Sequence, residues 1–135
     1  MAKFVATDYN ITINGASFSS SLAAVTLDIT VEEQDTTSFG STARTRVGGL
    51  QDASLSLDFH QDFGASSVDA TLFPLLGSNA TVVIKPTSST VSATNPAYTA
   101  VCLVTQYQPF ASSVGDLATL SVSWPVTGAV TRATA

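Results

Sequence analysis

Three stretches of this chain alternate apolar and polar residues with a period of two, and that alternation limits the possible folds more than any other feature. Val25, Leu27, Ile29 and Val31 are interleaved with Thr26, Asp28, Thr30 and Glu32. Ala53, Leu55, Leu57 and Phe59 are interleaved with Ser54, Ser56, Asp58 and His60. Leu120, Val122, Trp124 and Val126 repeat the pattern against Ser121, Ser123 and Thr127. Successive side chains of a strand point to opposite faces, so each run makes a strand with one dry face and one wet face. Thr81–Lys85 and Tyr98–Tyr107 read as further strands from their β-branched and aromatic content. Tyr9–Ile13 reads as a short strand entering a tight turn at Asn14-Gly15.

One segment, residues 66–76, follows a helical period instead. Val68, Leu72, Leu75 and Leu76 recur at helical spacing, Ser66-Ser67 offer an N-cap, Asp69 puts negative charge in the first turn, and Gly77 is a stop. Pro74 predicts a short or bent helix, and its simplest role is to close one end or flank of a sheet sandwich. Residues 34–49 show no period and are far longer than a hairpin turn, so they are expected to form a long functional loop. Ser112–Asp116 reads as a turn before the last strand. With no internal repeat and no linker, residues 1–135 are expected to form a single all-β domain with one short helix.

Composition then separates classes of function. Hydrophobic residues make up 44% of the 135 residues and charged residues only 11%, less than half the usual share. A free monomer keeps itself soluble with a charged surface, so a chain this poor in charge is expected to cover its surface with copies of itself or with partners. The formal net charge of −5 argues against gripping nucleic acid by its phosphates, which takes clustered Lys and Arg. Of the basic residues Lys3, Arg44, Arg46, Lys85 and Arg132, only the two arginines lie close together. Apolar runs such as Ala80–Ile84 fall far short of a membrane span. Met1–Asn10 has no apolar core of signal-peptide length, so the sequons at Asn10 and Asn79 are read as accidental. The single cysteine, Cys102, rules out a disulfide within the chain and reads as a small core residue.

A catalytic site needs a base, a nucleophile or a metal assembled in one place. His60 is the only histidine, and Asp58 and Asp62 would share its face of the strand. Alternate residues on a straight strand stand about 6.6 Å apart, too far to converge on one ion, so an ordinary solvated strand face is the better reading than a metal site. No Gly-x-Ser-x-Gly elbow or phosphate-binding glycine loop occurs. No enzyme and no cofactor are expected.

The stretch from Leu27 to Gly40, a strand running into Asp35-Thr-Thr-Ser-Phe-Gly40, resembles the tail tube proteins of siphophages that infect actinobacteria. Gly49-Leu-Gln-Asp-Ala-Ser-Leu55 resembles the start of the next strand in that family. The segments Ser92–Tyr98 and Val126–Arg132 resemble it too, so the likeness runs from about Tyr9 to Arg132. It implies a β-sandwich or barrel of the tail tube type with a long hairpin loop and a flanking helix. It further implies a virion protein, assembled in the host bacterial cytoplasm. Its copies would form hexameric rings stacked into a tube that holds the tape measure protein, meets other tail proteins and conducts DNA. Six copies at −5 would give a ring a formal charge of −30, fitting a conduit that must not bind its cargo. The alternatives are a capsid decoration or minor tail protein, or an Ig-like adhesion or carbohydrate-binding module. The last is disfavoured because most aromatics are expected in the core.

On the tube reading, Asp28, Glu32, Asp58, His60 and Asp62 line the lumen. Val25, Leu27, Ile29, Leu55, Leu57 and Phe59 form the opposite, dry side and are expected to pack against Val122, Trp124 and the strand around Leu103. The loop 34–49 is expected to dock on a neighbouring subunit through Phe39, Val47, Arg44 and Arg46, with Gly40 among its bends.

Overall fold

A computed structural model describes residues 3, 5–65 and 67–135. The two-residue turn at Asn14-Gly15 forms as its chemistry demands. Both residues take positive φ, 51° and 87°, the signature of a hairpin turn that matches strand twist. It joins β1 (Asn10–Ile13) to β2 (Ala16–Ser17). The alternating stretches become β3 (Leu22–Asp35), β4 (Arg46–His60) and β7 (Thr119–Pro125). The remaining strands are β5 (Asn79–Lys85), β6 (Ala97–Leu103) and β8 (Thr131–Ala133).

These strands form two open antiparallel sheets, one in the order β2-β1-β5-β6-β8 and one in the order β3-β4-β7. The architecture is therefore a sandwich and not a closed barrel. Ile11, Ile13, Ala80, Val82, Ala100 and Cys102 from the larger sheet meet Leu55, Leu57, Phe59, Leu120, Val122 and Trp124 from the smaller one. Phe18 meets Phe59 edge to face, with centroids 6.3 Å apart. The Trp124 ring is fully buried, and its Nε1–H donates to the Gln106 carbonyl at 3.0 Å, so its polar atom is satisfied within the core. Burial pushes the Cys102 thiol up to about 11, which keeps it unreactive.

Several expectations are corrected here. Val122 and Trp124 lie beside Leu57 and Leu55 as cross-strand neighbours in one sheet, so these residues form one wall of the core together. In β6 the buried set is Ala100, Cys102 and, beyond it, Val104, while Leu103 faces outward at 38% exposure. The strand expected over Tyr98–Tyr107 ends at Leu103, where the backbone turns off to pass under the helix. Ile29 is 39% exposed, because it stands where β3, an edge strand, runs past the larger sheet. There Val25, Leu27, Ile29, Ile84 and Tyr98 line an open cleft of about 370 Å³.

The helical segment is α1 (Val68–Leu72), followed by a 3-10 turn over Phe73–Leu75. Pro74 sits where the chain tightens, and Gly77 ends the segment at φ 81°. Val68 and Leu72 plug one end of the sandwich. Ser67 holds the N-cap position without a side-chain bond to the helix, and Ser66 lies outside the described residues.

Candidate functional site

The smaller sheet has an outer face set by the same alternation that fills the core. Ala24, Thr26, Asp28 and Thr30 of β3 stand beside Ser54, Ser56 and Asp58 of β4, and beside Ser121 and Ser123 of β7. These side chains are exposed, small and mostly hydroxylic, and the Ser56 and Ser123 hydroxyls are 3.4 Å apart across the strands. Asp28 and Asp58 supply negative charge, and no Lys or Arg stands among the residues of this face. His60 ends the row half-buried, with its Nδ1 buried and lacking a hydrogen-bond partner. Asp62 falls beyond the last residue of β4. Its carboxylate accepts the Gly64 N–H at 2.8 Å and its carbonyl accepts the Asp69 N–H at 3.1 Å, so it serves the turn into α1. The structure thus brings Asp28, Asp58 and His60 onto one face and leaves Asp62 off it.

Among the described residues, both outer edges of this sheet lack a full strand partner. β3 pairs only with β4 along its 14 residues, and β7 pairs with β4 on one side. The chain crosses to the larger sheet just past β7, where the Thr127 N–H donates to the Val101 carbonyl at 2.7 Å. No proline or lysine interrupts β3, although such residues commonly protect an edge from pairing.

Six of the sixteen residues expected as a loop over 34–49 belong to strands. β3 continues to Asp35 and β4 begins at Arg46, which leaves only Thr36–Thr45 as the connection. Cross-strand bonding extends the ladder where no apolar period announced it. The Thr36 N–H donates to the Thr45 carbonyl at 2.8 Å, and the Thr45 N–H donates to the Thr37 hydroxyl at 2.9 Å. Arg44 pairs with Asp35 at 2.8 Å and Arg46 with Glu33 at 2.5 Å, so both guanidinium groups are engaged within their own hairpin. Hydrogen bonds from Thr37, with a lesser contribution from Arg44, hold the Asp35 carboxyl below its ordinary pKa. A bulge between Val31 and Glu33 places Gly48 and Gly49 at a close approach. A Cβ on Gly49 would sit 3.3 Å from the Glu32 carbonyl and from the Gln34 side chain.

The result is a two-stranded arm that leaves the sandwich after Ile29 and Ala53. Residues 30–52 are exposed throughout, and six strand residues reach about 20 Å before the tip begins. Phe39 at the tip is fully exposed, Leu50 is 80% exposed, and Val31 and Val47 are more than half exposed. Glu32 lies on this arm, away from Asp28 and Asp58, and accepts a hydrogen bond from Gln34 at 2.6 Å.

Sequence reasoning missed a further surface. Most aromatics other than Phe39 were expected in the core, yet Phe63, Phe73 and Phe110 are all largely exposed. Phe63 and Phe110 stack with centroids 5.6 Å apart at the α1 end of the molecule. The available signal was an aromatic following Pro109, outside any periodic run. Among the described residues, no three His, Cys, Asp or Glu side chains come together to hold a metal, and no helix is long and apolar enough to cross a membrane.

This two-sheet fold is shared with chains of gene transfer agent particles. A chain from the virion of a native gene transfer agent particle superposes with a TM-score of 0.74 at 17% identity, covering 93% of this chain and 95% of that one. A chain from the tail of an empty gene transfer agent particle, solved with C6 symmetry, superposes with a TM-score of 0.65 at 18% identity, covering 82% and 81%. No protein-family model and no curated protein matches the sequence.

Proposed function

We propose that this chain is a structural subunit of a phage-like tail, and that its copies form rings of six stacked into a tube for DNA. The observation that carries this reading is the outer face of the smaller sheet. It is a wall of hydroxyls and carboxylates without a cation, set in a sheet whose two edges are open. Pairing β3 of one copy to the β7 edge of the next is a head-to-tail contact, and such contacts close into rings when the rotation allows. The wall would then face inward, where phosphate is repelled and finds no site to rest on. The shared fold of the gene transfer agent tail chain supports the tail assignment, and its C6 symmetry supports the ring number. The arm supports stacking, because an isolated two-stranded ribbon is marginal in water and this one shows apolar side chains that a neighbouring ring would cover.

Cryo-electron microscopy of the purified protein tests the proposal. Stacked six-membered rings with Asp28 and Asp58 on the lumen are the expected result. Stable monomers or trimers would point instead to a decoration protein, and a tube with Asp28 and Asp58 on its outside would end the lumen assignment.

A further inference from the structure

The arm and the stacked Phe63–Phe110 pair lie at opposite ends of one strand. β4 runs from Arg46 on the arm to His60, a span of about 45 Å, and Phe63 follows three residues later. From these placements we infer that the Phe63–Phe110 platform is the receptor for the arm tip of a second copy of this chain. The inference deepens the tube reading and rests on it, since the second copy would belong to the next ring.

Three observations single out this occupant. The first is complementary chemistry. The tip presents Phe39, fully exposed, beside Arg44, whose side chain is 68% exposed despite its pairing with Asp35. Asp62 precedes Phe63 in the chain, Asp116 lies in the segment that follows Phe110, and both are exposed. No Lys or Arg occurs between Arg46 and Lys85 or between Lys85 and Arg132, so the α1 end, built from residues 59–78 and 104–119, has no Lys or Arg of its own. A third aromatic can pack on the stacked rings and an arginine supplies the missing positive charge, and aromatic and Arg anchors commonly dominate interfaces.

The second observation is that the platform is held rigid from below. The Tyr107 hydroxyl donates to Asp69 at 2.7 Å, and the Gln61 amide donates to the Tyr107 oxygen at 3.1 Å and to the Pro109 carbonyl at 2.9 Å. The Gln61 N–H donates to the Ala118 carbonyl at 2.9 Å, and the Thr119 N–H to the Ser112 hydroxyl at 3.1 Å. These bonds fix the chain on both sides of Phe110 and bring Gln61 against Ala118. Two exposed aromatic rings on so well-tied a base form a preorganised surface, which loses little freedom when covered.

The third is geometric. An arm at one end and its receptor at the other make a heterologous contact. Such a contact leaves one arm and one platform free after every addition and so repeats without limit along one axis. A platform beside the arm would instead pair two copies and stop.

Engineered cysteines test this directly. Phe39→Cys protein is mixed with Phe110→Cys protein, assembled and oxidised, and the products are run on a non-reducing gel. Each chain then carries one accessible thiol, because Cys102 is buried. The expected product is a dimer found only in the mixture, and the Phe39→Cys, Phe110→Cys double variant should give a ladder. Independently, Phe63→Ser with Phe110→Ser should raise the concentration needed for polymer by more than about tenfold while single rings persist. If wild-type tubes form but neither the mixed dimer nor this loss appears, the platform is not the receptor, and the tube reading stands without it. Failure of the wild-type chain to form rings or tubes overturns both.

Discussion

The hairpin of β3 and β4 is one pair of strands leading two different lives. In its inner half, Leu22–Ile29 and Ala53–His60, a second sheet lies against one face, and the alternation resolves into Leu55, Leu57 and Phe59 inside against Ser54, Ser56 and Asp58 outside. In its outer half, beyond Thr30 and Asp52, no second sheet follows and every residue is exposed. Val31 continues the series of Val25, Leu27 and Ile29 in sequence yet has no second sheet to cover it and is 56% exposed. Apolar periodicity therefore states which residues seek cover and leaves open who supplies it. In the inner half the chain covers itself. In the outer half the cohesion is polar, through the Arg44–Asp35 and Arg46–Glu33 pairs and the Thr36–Thr45 ladder, and such exposed pairs contribute little.

That contrast can be pressed at four points of decreasing size. Trp124→Ala strikes the inner half, and loss of a fully buried aromatic costs about 3–5 kcal/mol, enough to leave the protein insoluble. Urea unfolding of any soluble fraction measures it, and a wild-type midpoint would mean that the inner half does not depend on its core. Tyr107→Phe removes a hydrogen bond to Asp69 and is expected to lower stability by about 1 kcal/mol. Burial and Asp69 push the Tyr107 hydroxyl up to about 12 from 10.0. A raised folded-state value means that its contribution is complete below pH 10 and is lost as pH rises toward 12. Unfolding midpoints should therefore fall over that window in the wild type and lack this component in Tyr107→Phe.

The outer half should respond in the opposite way. Replacing residues 37–44 with Asn-Gly closes the ladder on a two-residue turn at Thr36 and Thr45. Stability should change by less than about 0.5 kcal/mol and the circular dichroism should be unchanged, while sedimentation shows tubes lost. A shortened arm that still polymerises to normal length would overturn the stacking role proposed for the arm. The smallest effect belongs to Asp35. Its folded pKa lies below 3.8, so its bonds to Thr37 and Arg44 are intact above that value and fade as pH falls through the folded value. Amide exchange at Thr37 should accelerate there while β4–β7 amides stay protected.

The strands that carry a core were legible because the two-residue period and the pleat share one cause. The turn at Asn14-Gly15 was legible because its backbone tolerates few other residues. The outer ladder was not, since its pairing rests on threonine hydroxyls, a glycine bulge and two ion pairs, none of which leaves a periodic trace. Asp62 was assigned to the strand face by extending the alternation past His60, where the chain had already turned toward α1. Exposure of Phe63 and Phe110 was invisible for a related reason: an aromatic in an irregular segment has no phase from which to read its side. The acidic face was readable through Asp28 and Asp58, although the hydroxyl wall around them emerged only when β7 was seen to lie beside β4.

The seating of the arm has a mechanical consequence. A pull along its axis, such as bending or stretching of an assembled filament would deliver, reaches the body of the subunit chiefly through the register between Ser54–His60 and Thr119–Pro125, seven residue pairs in all. The bonds of an antiparallel ladder run across the strands, so an axial load falls on these pairs together and cannot peel them one at a time. An arm rooted at a strand end by a flexible loop would unzip under the same force. Here the lever and the core share one continuous strand, and tension on the tip is carried straight to the buried residues Leu55, Leu57 and Phe59.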